Sequence, residues 1–178
     1  MCEKIIDDRC AKVFAIDPSL DNIKFGKTLS MLNDVNNISW HQNVCADKEN
    51  VELHFEGNWG LATFNKERKG NTSPILSTTI DAILGEANFG SVGLFHIDVE
   101  GFDEKVLRSN DWDKYRPEVV VVEIPGIDFE EVLAHPSARF LKKHRYYPFD
   151  LHTKIPLIHW LPKGTLHTQE TVFCSREP

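Results

Sequence analysis

Hydrophobic and polar positions alternate between a period of two and a helical period along most of the chain. "KVFAID" at 12–17 is a short apolar run closed by an acid and by Pro18, which cannot extend a ladder, and it predicts a buried strand. Ser19 or Asp21 then stands where a helix cap is needed. Phe25, Leu29 and Leu32 follow at i, i+4 and i+7, a helical spacing that ends near "NDVNN". "ISWHQNVC" at 38–45 returns to period two, "ADKEN" makes a turn, and "VELHF" continues as a strand. Residues 56–74 form a long polar stretch containing glycine, the kind of loop that is functional or mobile.

In "TTIDAIL", Thr78 and Asp81 have the spacing of a capping box and open a helix through Leu84, which gives both residues a sufficient structural reason. "VGLFHIDVEG" at 92–101 predicts a strand that ends in Asp98, Glu100 and Gly101, with a helix from about Asp103. "EVVVVEI" at 118–124 is β-branched without alternation, as in a strand covered on both faces of a parallel sheet. Helical material lies between about 128 and 144, and "YYPFDL", "PLIHWL" and "ETVFCS" give short terminal strands. The order predicts an α/β fold, an open and mostly parallel sheet with an antiparallel edge. At 178 residues, with 41% hydrophobic and 26% charged content, a single domain over 1–178 is expected.

A formal net charge of −7 disfavours nucleic acid as the main partner, since phosphate binding needs clustered Lys and Arg. Lys142, Lys143 and Arg145 do gather, but as a solvated helix end. No run approaches the roughly 18 apolar residues of a membrane span, and Met1 to Cys10 lacks the character of a signal peptide. Cys2, Cys10, Cys45 and Cys174 are scattered, so a reduced, cytoplasmic compartment is expected. His152, His159 and His167 cluster without the i, i+4 spacing that presents two imidazoles on one helix face, and no metal site is expected.

Ligands of open parallel sheets bind outside the carboxyl ends of the strands, and Asp17, Asp98 and Glu123 each follow an apolar run there. Asp17 suits a carboxylate that accepts from both hydroxyls of a ribose; a helix-capping or turn aspartate before Pro18 accounts for it equally well. His96, Asp98 and Glu100 sit two apart, so on extended backbone they share one face. Together they could polarise an acceptor hydroxyl, take its proton or hold a cation. The alternative is a pair of ordinary loop acids, Asp98 bonded to backbone amides and Glu100 solvated. Gly101 supplies a sharp turn into the following helix.

The string "HIDVEGFDEKVLRSNDWDKYRPEVVVVEI" resembles the signature of FkbM-family methyltransferases, in which a strand ending in Asp-Val-Glu-Gly leads into a helix and then an Arg-Pro before the next strand. "VFAIDP", "NVCADKENVELHF", "STTIDAIL" and "ETVFCSRE" resemble further family segments in the same order, so the resemblance covers nearly the whole chain. It implies a Rossmann-like class I methyltransferase fold, S-adenosylmethionine as methyl donor, and an oxygen acceptor on a sugar, glycan or other small molecule. It also implies that Asp17 holds the ribose, that Asp47 lies near the adenine unless it is only a turn acid, and that Asp98 faces the methyl group or acceptor with Glu100 beside it.

Two departures from the family pattern matter. His96 stands where the family commonly has lysine, which lowers the local positive charge and offers a neutral base. No glycine occurs before Gly26, so the first strand and its glycine-rich cofactor turn are expected to be missing, leaving neighbouring strands unpaired. A non-catalytic binding or interaction module is therefore the rival expectation, with self-association completing the sheet; a sugar- or nucleotide-binding protein without methyl transfer is a third. Acceptor recognition is expected in 56–74 and around "HTKIPLIHWLPKG".

Overall fold

Short apolar runs and helical spacings produce ten strands and five helices among the residues that the computed structural model describes: 12–56, 63–65, 74–87, 90–99, 101–126, 129–149 and 167–174. The chain divides into two units, Met1–Cys45 with Glu49–Thr78, and Ala46–Lys48 with Thr79–Pro178.

In the first unit, β1 (Val13–Asp17) pairs in parallel with β2 (Ile38–Gln42), setting Val13 opposite Ile38 and Asp17 opposite Gln42. The crossover between them is α1 (Leu20–Leu32), capped by Ser19, whose hydroxyl accepts the Asn22 N–H at 3.3 Å. Its buried positions are Ile23 and Gly26, while Phe25, Leu29 and Leu32 are 56%, 43% and 75% exposed. Gly26 accounts for this orientation. A Cβ at that position would overlap the indole of Trp40, so helix and strand meet most closely where no side chain stands, and the Phe25-Leu29-Leu32 spacing faces outward. β3 (Val44–Cys45), β4 (Glu52–Glu56), β5 (Thr63–Asn65) and β6 (Ile75–Thr78) form a second sheet in the order β3-β6-β4-β5. Its β3–β6 pair is parallel and both ladders of β4 are antiparallel. The sequence pattern did not predict β6, a four-residue strand that runs almost directly into the next helix.

The second unit opens with α2 (Ile80–Ala87), which begins one position later than the capping-box pattern suggests. Thr79, not Thr78, accepts from Ala82 N–H at 3.2 Å, and Ser109 Oγ accepts from Ile80 N–H at 3.0 Å. The Asp81 carboxylate takes the Asp111 N–H instead of reaching back to the cap. β7 (Leu94–Ile97), α3 (Asp103–Arg108), β8 (Val119–Gly126), α4 (Phe129–Ala134), α5 (Pro136–Lys143), β9 (Tyr147–Phe149) and β10 (His167–Cys174) follow. The sheet order is β7-β8-β10-β9, with β7 and β8 parallel and β10 antiparallel to both its neighbours.

Val120, Val122 and Ile124 are fully buried, and with Phe95, Ile97, Leu107 and Leu141 they make the core on one side of this sheet. Trp112 locks it, meeting the rings of Phe95, Phe140 and Tyr146 edge-on at 5.3–6.2 Å while its indole N–H donates to Leu107 C=O at 2.8 Å. Tyr146, also fully buried, donates its hydroxyl to Pro117 C=O at 2.6 Å.

Further expectations change, beginning with β1, which is at most half-buried along its length and not the buried strand expected. Val119, Val121 and Glu123 are only half-buried, so β8 is covered more heavily on one face than on the other. Among the described residues the ladders are three parallel and four antiparallel, a mixed α/β arrangement with more antiparallel pairing than one edge. No described helix is long and apolar enough to cross a membrane. Most of the 56–74 loop, and all of "PLIHWL", lie outside the described residues.

Candidate functional site

The candidate site begins at β7, where burial follows the alternation of the sequence. Phe95 and Ile97 point into the core, with Phe95 set edge-on against Trp112, and this forces Leu94, His96 and Asp98 to the opposite face, where all three are exposed. His96 and Asp98 are thus brought to the same side at the carboxyl end of a parallel strand. Glu100, expected on that face, lies outside the described residues. Beyond Asp98 the backbone reverses: Phe102 N–H donates to Val99 C=O at 3.2 Å, and Gly101 takes φ +88° at the third position of the turn. Only a residue without Cβ adopts that conformation readily.

Asp103 follows at the start of α3 and was not singled out by the sequence pattern. It is only 5% exposed, and its Oδ2 accepts the Gly101 N–H at 3.2 Å. Burial pushes its carboxyl above the ordinary carboxylate range; backbone amides of Asp103, Val99 and Gly101 pull it down, and the charge of Asp98 pushes it up further. The signal that could have found it is the acid two residues beyond Gly101, close enough for its carboxylate to fold back on the turn.

At the carboxyl end of β1, Asp17 is half-buried and its carboxylate is already engaged. Oδ1 accepts the Ser19 N–H at 2.6 Å and Oδ2 accepts from the Asn22 side-chain amide at 3.0 Å. The role of a turn aspartate before Pro18 is therefore real, while the cap of α1 itself is Ser19. That role does not exhaust the group, because a carboxylate offers about four acceptor positions and these bonds occupy two. Asp47 is exposed, next to the buried Ala46.

Other candidates have plainer roles. Lys142, Lys143 and Arg145 are exposed at the end of α5, as a solvated helix terminus would be. Cys45 is a free thiol that burial pushes up to about 12, so it stays protonated at neutral pH. No group of three or more His, Cys, Asp or Glu able to hold a metal occurs among the described residues. An exposed imidazole beside a carboxylate can accept a hydrogen bond and then a proton from an approaching hydroxyl, and an engaged carboxylate with spare lone pairs can receive two hydroxyl donors.

The family model for the methyltransferase FkbM domain matches residues 2–148 of the chain. Among curated proteins and solved structures nothing matches significantly.

Proposed function

The chain belongs to the FkbM methyltransferase family, and from that premise we propose that it transfers a methyl group from S-adenosylmethionine to an oxygen of a sugar or another small-molecule acceptor, on a Rossmann-like fold. The observation that carries this reading is the family match across 2–148, which spans "HIDVEGFD" and so includes the strand end that exposes His96 and Asp98. Asp17 fits the ribose role, since its carboxylate is held in a fixed direction by Ser19 and Asn22 and keeps acceptor capacity for two hydroxyls. Asp47 stands as the adenine-side residue. The cofactor supplies an electrophilic methyl on a sulfonium.

The chain's own contribution is alignment and proton removal. Methyl transfer from a sulfonium needs little covalent assistance, so holding the acceptor oxygen in line with the methyl carbon supplies much of the rate. Asp98 faces the acceptor and favours the positive charge that His96 gains on accepting the hydroxyl's hydrogen bond and then its proton. His96, in place of the family's usual lysine, takes the proton, and Glu100 is the second carboxylate of the motif. The importance of this base grows as the acceptor becomes less acidic.

Calorimetric titration with S-adenosylhomocysteine tests the reading. Heat of binding in the wild-type chain, weakened on the order of 100-fold in Asp17→Ala by loss of hydrogen bonds to a charged group, is the expected result. Absence of heat from a folded sample would leave the non-catalytic binding module as the better description.

A further inference from the structure

Asp103 is an acid that a surface helix does not need. The first turn of α3 already carries Glu104 to favour the helix dipole, and Asp103 makes no side-chain cap for it. Its carboxyl is buried, which costs free energy unless the group is well bonded, yet Oδ1 is inaccessible and has no hydrogen-bond partner. What the carboxyl does hold is the turn behind it. The Gly101 N–H donates to Oδ2, in a turn already closed by Phe102 N–H and Val99 C=O, and this turn begins one residue beyond Asp98.

We propose that Asp103 is the positioning residue of the candidate site: its buried carboxyl clamps the turn after β7 through Gly101 N–H and thereby fixes the direction in which Asp98 meets the acceptor. The inference rests on the methyltransferase reading for the words "acceptor" and "site"; the clamp itself stands on the hydrogen bond and the burial. Charged groups on the surrounding elements are Asp98 at the end of β7, Glu104 and Lys105 on α3, and Arg139, Lys142 and Lys143 on α5, which packs against α3. Asp98 is the one among them whose charge raises the Asp103 carboxyl, which ties the two acids to each other.

Three readouts on the full chain test this. Amide exchange at Gly101 should quicken about tenfold or more in Asp103→Ala and stay close to wild type in Asp103→Asn, whose amide oxygen still accepts. In Asp98→Asn, the carbon-13 titration midpoint of the Asp103 carboxyl should fall, an effect that mere packing does not produce. In methyl-transfer assays, Asp103→Ala should lower kcat about tenfold or more with little change in S-adenosylhomocysteine affinity. Unchanged Gly101 exchange in Asp103→Ala, an unmoved Asp103 midpoint in Asp98→Asn, or equal losses of kcat and cofactor affinity would each overturn the proposal. If the exchange and titration results hold while wild type transfers no methyl group, the clamp survives and the methyltransferase reading fails.

Discussion

Asp98 and Asp17 are both acids at strand ends, but the proposed function gives them different work. Asp17 is tied down by two donors, so on the proposed reading its replacement removes a fixed acceptor and should act on cofactor affinity. Asp98 is exposed on the same face as His96 and is proposed to act on the acceptor, so Asp98→Asn should reduce turnover by about 10²- to 10⁴-fold, the usual range for a group assisting proton transfer. Affinity for S-adenosylhomocysteine should change by less than about threefold, a difference of well under 1.4 kcal/mol. Steady-state kinetics beside calorimetry separates the two effects, and equal losses in both would mean that Asp98 belongs to the cofactor. The Cys45 thiol gives a second residue-level expectation. Held up to about 12 by burial, it should react with a thiol reagent at neutral pH far more slowly than an unfolded cysteine, whose ordinary value is 9.0, and urea should restore fast labelling. This residue scale was the most legible in the sequence. His96 and Asp98 could be placed on one face because period two decides sidedness without knowledge of any neighbour. Asp103 could not be found in that way, because period two says nothing of an acid in the first turn of a helix; only its place two residues beyond Gly101 hints that its carboxyl folds back on the turn.

At the scale of elements, α1 shows where the sequence stops being informative. Its start was readable, since Ser19 caps it, but its buried face was not. Three large apolar residues at helical spacing point outward because Gly26 lets the helix settle on Trp40, and one close approach outweighs a stripe when the partner surface lies elsewhere. Gly26→Ala should therefore destabilise the first unit by about 1–3 kcal/mol, the usual cost of overpacking, even though alanine favours helix. Urea denaturation followed by tryptophan fluorescence would detect it, and an unchanged midpoint would mean that the helix shifts freely on β2. The same limit explains α2. Thr78 and Thr79 are adjacent threonines before one apolar helix, and the cap falls on Thr79 because Ser109 and Asp111, about thirty residues away, fix the first turn from outside. Similarly, "EVVVVEI" was readable as a strand, while its unequal faces depend on which helices and loops cover the sheet.

For the molecule as a whole, two groups of the second unit give its stability a pH dependence with opposite signs. His144 packs against the rings of Trp112 and Phe140, at 5.2 and 4.6 Å, and burial first, then the positive charges of Lys143 and Arg116, hold its imidazole below the ordinary value of 6.5. As pH falls below that value the unfolded chain takes up a proton that the folded chain resists, so this contribution is complete above about 6.5 and is lost on acidification. Asp103 behaves in the opposite sense. Its folded carboxyl lies above the ordinary 3.8, so the folded chain keeps a proton that the unfolded chain has released, and the contribution present below 3.8 is lost as pH rises through the folded value. Melting temperatures measured from pH 4 to 8 should accordingly show a wild-type curve shaped by both. His144→Phe keeps a ring against Trp112 and removes the titration, so its curve should lose the decline below about 6.5. Asp103→Asn removes the other titration and should gain on wild type as pH rises above 3.8, the gain shrinking towards acid pH. Because Asn also keeps the acceptor for Gly101 N–H, a pH-dependent gain isolates the charge of the clamp from its hydrogen bond. A constant offset at every pH would instead place the effect of Asp103 in packing alone, and Asp98 would then have no electrostatic link to the residue that sets its direction.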